Sequence, residues 1–261
     1  MLFRSDLAAR LENLNRERRE RSQRATDQAL EQVGDATDLP LIFAGSPDFP
    51  SGLIGLVAGR LAERWHRPAV ALEVGPEVSR GSCRSIPGFN IVEAVRACGD
   101  LLLRHGGHPQ AAGFTVATAR IPELRERLLE VAARQLAGQR PVPFIEVDDV
   151  VDLDRLHEDV LRGLDWLAPH GYGKPEPVFC ALDVELQNVR TMGADGAHAR
   201  ARVRQGSQTW EAVGFGLGER LSRLGGRAHV LFTPEPANWR GESFVQLNLR
   251  DVRPADVWPF A

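Results

Sequence analysis

Lysine is almost missing from this chain. Of 32 basic residues only Lys174 is a lysine. Any grip on an anion therefore falls to arginine, whose planar fork suits bidentate contact with phosphate oxygens. Cysteine is nearly as scarce. Cys83, Cys98 and Cys180 lie far apart with no C-x-x-C spacing, which excludes a disulfide framework and a thiolate zinc site. Three small core residues in a reducing, cytoplasmic setting are expected instead. No apolar run reaches the about 18 residues that a membrane span needs, so no membrane partner is expected. The opening stretch, MLFRSDLAARLENLNRERRERSQ, mixes acids among its apolar residues and does not read as a signal peptide. There is no Walker loop, no G-x-S-x-G elbow and no dinucleotide fingerprint, which excludes the P-loop, serine-hydrolase and nicotinamide classes. No two histidines are adjacent, and no Asp–His cluster has the spacing to hold two metal ions. His105 and His108 stand three apart, but Gly106 and Gly107 break the helical turn that a zinc pair requires. Asp152 and Asp154, ahead of His157, read as strand-end and helix-capping residues. The expectation is a chain with no catalytic residue and no bound metal or other cofactor of its own.

What is there begins with enough apolar material to fold. A hydrophobic content of 43% over 261 residues supports one large or two ordinary domains. The net charge of −3 does not exclude a nucleic-acid partner, because local clustering of cations decides. From Asp6 to about Val33 the sequence reads as one long helix. Leu7, Leu11 and Leu14 form a stripe, continued by Ala25, Ala29 and Val33, with the polar NRERRERSQR between them. It looks like a connector. Strands LPLIFAG and RPAVALEV then alternate with the helix SGLIGLVAGRLAERW, where Leu53, Val57 and Leu61 share a face. Gly55 and Gly59, four apart, would let another backbone pack close. VSRGSCRSIPG is a strand entering a turn. Asn90 with Glu93 forms a capping-box signature for a helix from Ile91 to Arg104. The strand AAGFTVA and a helix opened by Pro122 follow. The spacing predicts an α/β domain with antiparallel neighbours in a mixed sheet. Beyond the breaker-rich AGQRPVP, short strands recur: VELQNVRTMG, HARARVRQG, TWEAVGFG, AHVLFTPE and SFVQLNLRDV. They predict a small five-stranded OB-like barrel or a sandwich.

Three stretches are candidates for binding chemistry. In LLLRHGGHPQAAGFTV, the pair Gly106-Gly107 either caps a helix with His108 merely packing, or brings backbone N–H groups close to an anion with His108 bonding a phosphate. In RGSCRS, Ser82, Arg84 and Ser85 either end a strand in solvent or offer hydroxyls and a guanidinium fork to the same anion. ARARVR places Arg200, Arg202 and Arg204 on one face, near Arg190, with Trp210, Phe215, Trp239 and Phe244 beside it. Such a face is either solvated over a core of aromatics or a basic groove with stacking platforms for single strands.

Taken together, GLIGLVAGRLAERWHRPAVAL, GSCRSIPGFNIVEAV and GGHPQAAGF, followed by LAPHGYGKPEPVF, HARARV and WEAVGFG, resemble the C-terminal half of the RecJ family. RecJ proteins are single-strand-specific exonucleases of the DHH phosphoesterase superfamily. The resemblance implies a connector helix over residues 1–36, a DHHA1-like α/β domain over 37–138 and an OB-like β domain over 139–261. The family's usual loop reads Phe-Gly-x-Gly-Asn, where this chain has His170 and Lys174. It further implies that Ser82, Arg84, Ser85, Gly106, Gly107 and His108 line a cleft against terminal phosphates, with His108 in a supporting role. Arg200, Arg202 and Arg204 would hold the strand downstream. Single-stranded DNA, or RNA, is the implied ligand. The implied partner is a DHH domain in cis or in trans, absent from this chain, that carries manganese or magnesium and cuts 5′ to 3′. The chain alone is expected to bind and not to cut. The competing expectation is a free-standing single-strand-binding module that recruits other proteins. Oligoribonucleases and the editing apparatus of alanyl-tRNA synthetases contain related domains, but the strand-rich segment after Phe144 argues against both.

Overall fold

The computed structural model describes residues 2–171, 173–193, 195–224, 226–239 and 242–260. It divides into two compact units, Met1–Pro143 and Phe144–Ala261.

In the first unit a long helix α1 (Leu2–Val33) precedes β1 (Ile42–Ser46), α2 (Ile54–Trp65), β2 (Ala69–Glu73) and β3 (Val78–Arg84). A short α3 (Ile91–Arg96), the hairpin β4 (Leu102–His108) and β5 (Ala111–Ala117), and α4 (Ile121–Leu136) complete it. The sheet runs β1-β2-β3-β5-β4. Only β1 and β2 are parallel; the remaining pairs are antiparallel, giving the expected mixed sheet.

Period-2 alternation decides which layer covers which face. From β2, Val70 and Leu72 pack with Cys83, Phe114 and Val116 under α3 and α4. The alternate residues Ala69 and Ala71 pack with Ile42 and Ala44 under α2, through Val57 and Leu61. The same cluster takes Ala25 and Ala29 from α1, so the last third of that helix is a packed part of the unit. Its earlier apolar stripe, Leu7, Leu11 and Leu14, is exposed. Arg67 is buried at 8% exposure and donates to the carbonyls of His66 and Pro141, both at 2.9 Å, which ties the end of the unit back to the end of α2.

Two local expectations are corrected. The helix expected from Ile91 to Arg104 stops at Arg96, and Gly99–Leu101 forms a 3-10 turn. The breaker Cys98-Gly99-Asp100 outweighs the apolar run Leu101–Leu103, which leads into β4 instead. Gly106 and Gly107 therefore lie in a strand and do not cap a helix. Secondly, no backbone approaches Gly55 or Gly59. The neighbours of Gly55 are the side chains of Arg84 and Ser82, and Gly59 has open space beside it. The capping-box signature forms by half: Asn90 Oδ1 accepts from Glu93 N at 3.4 Å, but Asn90 N–H donates to Gln135 of α4 at 3.3 Å and not to the Glu93 side chain.

The second unit contains a two-residue β6 (Asp149–Val150), a short α5 (Glu158–Asp165), and β7 (Phe179–Met192), β8 (His198–Gln205) and β9 (Gln208–Gly214). Then come α6 (Gly218–Arg223), β10 (Gly226–Trp239) and β11 (Glu242–Pro254). The order β10-β11-β9-β8-β7, closed by pairing of β10 with β7, makes a five-stranded barrel. Its β9–β11 pair is parallel and its remaining pairs are antiparallel, with α6 between the third and fourth strands. This is the OB arrangement. Val184, Val203, Val230, Phe232 and Leu247 fill the interior. All three cysteines are free and buried, and burial pushes the thiols up, that of Cys83 to about 12.

Leu61 is fully buried between α2 and the sheet. Leu61→Ala should cost about 2–5 kcal/mol in urea unfolding of the full chain.

Candidate nucleic-acid interface

Residues directly opposite one another in an antiparallel sheet project to the same side. The register around β5 therefore sorts the candidate residues. Arg84 pairs with Ala111, and Ala111 pairs on its other edge with His108. In the next row Ser82, Gly113 and Gly106 align, and in the third Arg80, Thr115 and Arg104. All nine face away from the core under α3 and α4. The outer walls are polar, whereas the middle of the first two rows carries only a methyl group or a hydrogen. The result is a shallow trough, with Arg84 and His108 two strand spacings apart, about 10 Å between Cα atoms. A larger side chain at Ala111 or Gly113 would fill the floor.

Each singled-out residue has a distinct geometry. His108 is exposed, and its Nδ1 accepts from Gln110 N at 3.3 Å. This contact occupies Nδ1 and leaves Nε2 open to a ligand. Gly106 borders the trough with nothing within 4 Å of where a Cβ would stand. Gly107, in contrast, faces the core side opposite Ala112 with φ of 147°, and a Cβ there would run into the backbone of Ala111 and Ala112. Ser85 uses its hydroxyl to donate to Phe89 O at 2.7 Å, which pins the turn after β3. Arg84 Nη1 donates to Cys83 O at 2.9 Å and to Ser82 Oγ at 3.3 Å.

Beyond Arg84 the trough opens into a cleft of about 510 Å³ between α1 and α2. Arg18, Arg19, Arg60 and Arg84 line it against one carboxylate, Glu63. Ser22 also lines it, 2% exposed, with no hydrogen-bond partner for its Oγ. Sequence reasoning missed these α1 and α2 residues because NRERRERSQR reads as a solvated face. The available signal was the i, i+3, i+4 spacing of Arg18, Ser22 and Arg19 around a single small polar residue.

In the barrel, β8 alternates as expected, with Arg200, Arg202 and Arg204 outward and Ala199, Ala201 and Val203 inward. Arg202 and Arg204 are ion-paired within the sheet. Arg202 Nε donates to Glu211 at 2.7 Å, and Arg204 lies 3.6 Å from Glu185. Arg200 lines two adjoining clefts, one with Arg190 and Asn188 and the other with Phe244 and Gln246. Phe244 is 38% exposed and Phe215 60%, the latter edge-on to His198. Trp210 packs against the barrel core instead. The side chain of Trp239 lies outside the described residues. Among the described residues, no group of three or more His, Cys, Asp or Glu side chains could hold a metal ion, and no helix is long and apolar enough to cross a membrane.

The DHHA1 domain model matches residues 38–137, and the RecJ OB domain model matches residues 147–251. The chain belongs to the RecJ family. The single-stranded-DNA-specific exonuclease RecJ of Bacillus subtilis is 33% identical over 252 residues, which is 95% of this chain and 32% of that protein. RecJ of Thermus thermophilus is 35% identical over 158 residues, 60% of this chain and 22% of that one. A crystal structure of T. thermophilus RecJ in complex with Mg2+ matches with a TM-score of 0.77 at 29% identity, covering 95% of this chain and 38% of that chain. A second holds Mn2+. The chain thus spans roughly a third of the length of these RecJ relatives, through a DHHA1 and a RecJ OB domain.

The two glycines of this RecJ hairpin separate experimentally. Gly107→Ala should cost about 1–3 kcal/mol of stability in a denaturant melt. Gly106→Ala should stay within about 0.5 kcal/mol of the parent, because its Cβ meets only solvent.

Proposed function

We propose that this chain is the strand-holding part of a RecJ-type exonuclease acting on single-stranded DNA. Its first unit receives phosphates in the trough between Arg84 and His108 and in the adjoining α1–α2 cleft. Its barrel carries the strand downstream along the face of Arg200, Arg202 and Arg204, with Phe244 and Phe215 as stacking platforms. The observation that carries this reading is the row Arg84–Ala111–His108. It sets a guanidinium fork and an imidazole across a floor that carries no more than a methyl group, wide enough for a sugar–phosphate backbone.

The chemistry follows from the donor set. Guanidinium and imidazole donors fixed by a sheet neutralise phosphate charge without reorganising. Ser82 Oγ and the exposed edge at Gly106 add short-range polar contacts. Hydrolysis of a phosphodiester draws on metal ions to activate water. Among the described residues no group of three or more His, Cys, Asp or Glu side chains could hold a metal ion. In this proposal a DHH domain, in cis or in trans, supplies manganese or magnesium and the cut, and the DHHA1–OB part supplies position.

Two measurements test it. Titration of the full chain with oligothymidylate over a salt series should show affinity falling steeply with salt. Arg84→Ala should weaken binding to all sequences alike and reduce the salt slope by about 0.7, the value of one single-strand phosphate contact. An unchanged slope would make Arg84 structural. Mixing the chain with a folded RecJ DHH domain and manganese should restore 5′-to-3′ degradation that neither shows alone; turnover by this chain alone would reverse the division of labour.

A further inference from the structure

The α2 residue beside the Arg84 guanidinium has no side chain. A Cβ at Gly55 would lie 2.8 Å from Arg84 Nη2, 3.6 Å from its Cζ and 3.2 Å from Ser82 Oγ. On its other side the guanidinium is held by Nη1, donating to Cys83 O and Ser82 Oγ. Arg84 therefore sits in a slot, with β3 as one wall and the bare Cα of Gly55 as the other, and the slot opens on the α1–α2 cleft.

The fold gives no reason for glycine at this position. Gly55 has no positive φ, and glycine weakens a helix relative to alanine. The only group a methyl would strike at under 3 Å is the far end of a flexible side chain, which the fold can absorb by turning Arg84 aside. A fork aligned on phosphate oxygens cannot absorb that turn, because bidentate contact depends on its direction.

We infer that Gly55 is a positioning residue: by leaving the slot open it aims the Arg84 guanidinium at the phosphate, and one added methyl group deflects it. This rests on the reading of Arg84 as a phosphate donor. It assigns to the bare Cα of Gly55 a part in ligand binding that the sequence of α2, an ordinary amphipathic helix, does not announce.

The test uses the full chain and a 3′-labelled, 5′-phosphorylated oligothymidylate, with Kd read by anisotropy and stability by thermal melting. The variants are Gly55→Ala, Arg84→Ala, the two together, and Arg84→Lys with and without Gly55→Ala. Gly55→Ala should raise Kd about tenfold, the size of one charge-assisted contact, while melting at or above the parent temperature. The double variant should bind no more weakly than Arg84→Ala, since both changes remove the same contact. Lysine has no second terminal nitrogen for the methyl to strike, so in the Arg84→Lys background Gly55→Ala should change Kd less than about twofold. Parent-like binding by Gly55→Ala alongside weak binding by Arg84→Ala would overturn the inference and leave the phosphate reading standing. Parent-like binding by Arg84→Ala would overturn both. Additive losses in the double variant, or a lowered melting temperature for Gly55→Ala, would show that Gly55 acts through the fold, and the inference would fall.

Discussion

The register of β5 between β3 and β4 is the constraint on which the rest depends. Because residues alternate between faces, a one-residue slip of either pairing would turn Arg84 or His108 toward α3 and α4 and bring Cys83 or Gly107 to the open side. The slip is prevented from the opposite face. Phe114 sits over Gly81, which has no room for a side chain, and Cys83, Ala112 and Val116 are locked in the same cluster. The packed side of the sheet thus specifies the polar side. A surface lined by arginine, serine and histidine gains precision from contacts that none of those residues makes.

The two units meet charge in different ways. In the α1–α2 cleft four guanidinium groups face one carboxylate, and Ser22 brings a hydroxyl with no partner into the same space. On the barrel, Glu185 and Glu211 answer Arg204 and Arg202 within the sheet. Exposed pairs of this kind add little stability, yet they lower the positive potential of the face. The α1–α2 cleft thus gathers arginines from two helices, whereas the conspicuous ARARVR run has Arg202 and Arg204 answered by carboxylates within the sheet.

Much of the fold was legible because periodicity and punctuation agreed. ARARVR alternates and is a strand with its arginines outward; Val57 and Leu61 share a face and are buried. Where local signals conflicted, the reading failed. Leu101–Leu103 looked like the end of a helix, and only the tertiary partner β5 makes that segment a strand. The site was half legible. RGSCRS and GGH were recognisable as polar and backbone-rich stretches, but their alignment across β5 is a property of register, which no single stretch encodes. Ser85 and Gly107 belong to the same motifs yet hold a turn and a tight backbone, and nothing in their residue types separates them from Ser82 and Gly106. The arginines of α1 were hidden by being read as solvent-facing.

The scarcity of lysine has a consequence for control. Acyl transfer to ε-amino groups is a common way to erase a basic surface, but it has no target in the α1–α2 cleft or along β8, where every described cation is a guanidinium. Guanidinium groups also keep their charge through the alkaline range that would discharge amines. An interface built this way can be masked by an acidic competitor or by salt, but acetylation cannot switch it off.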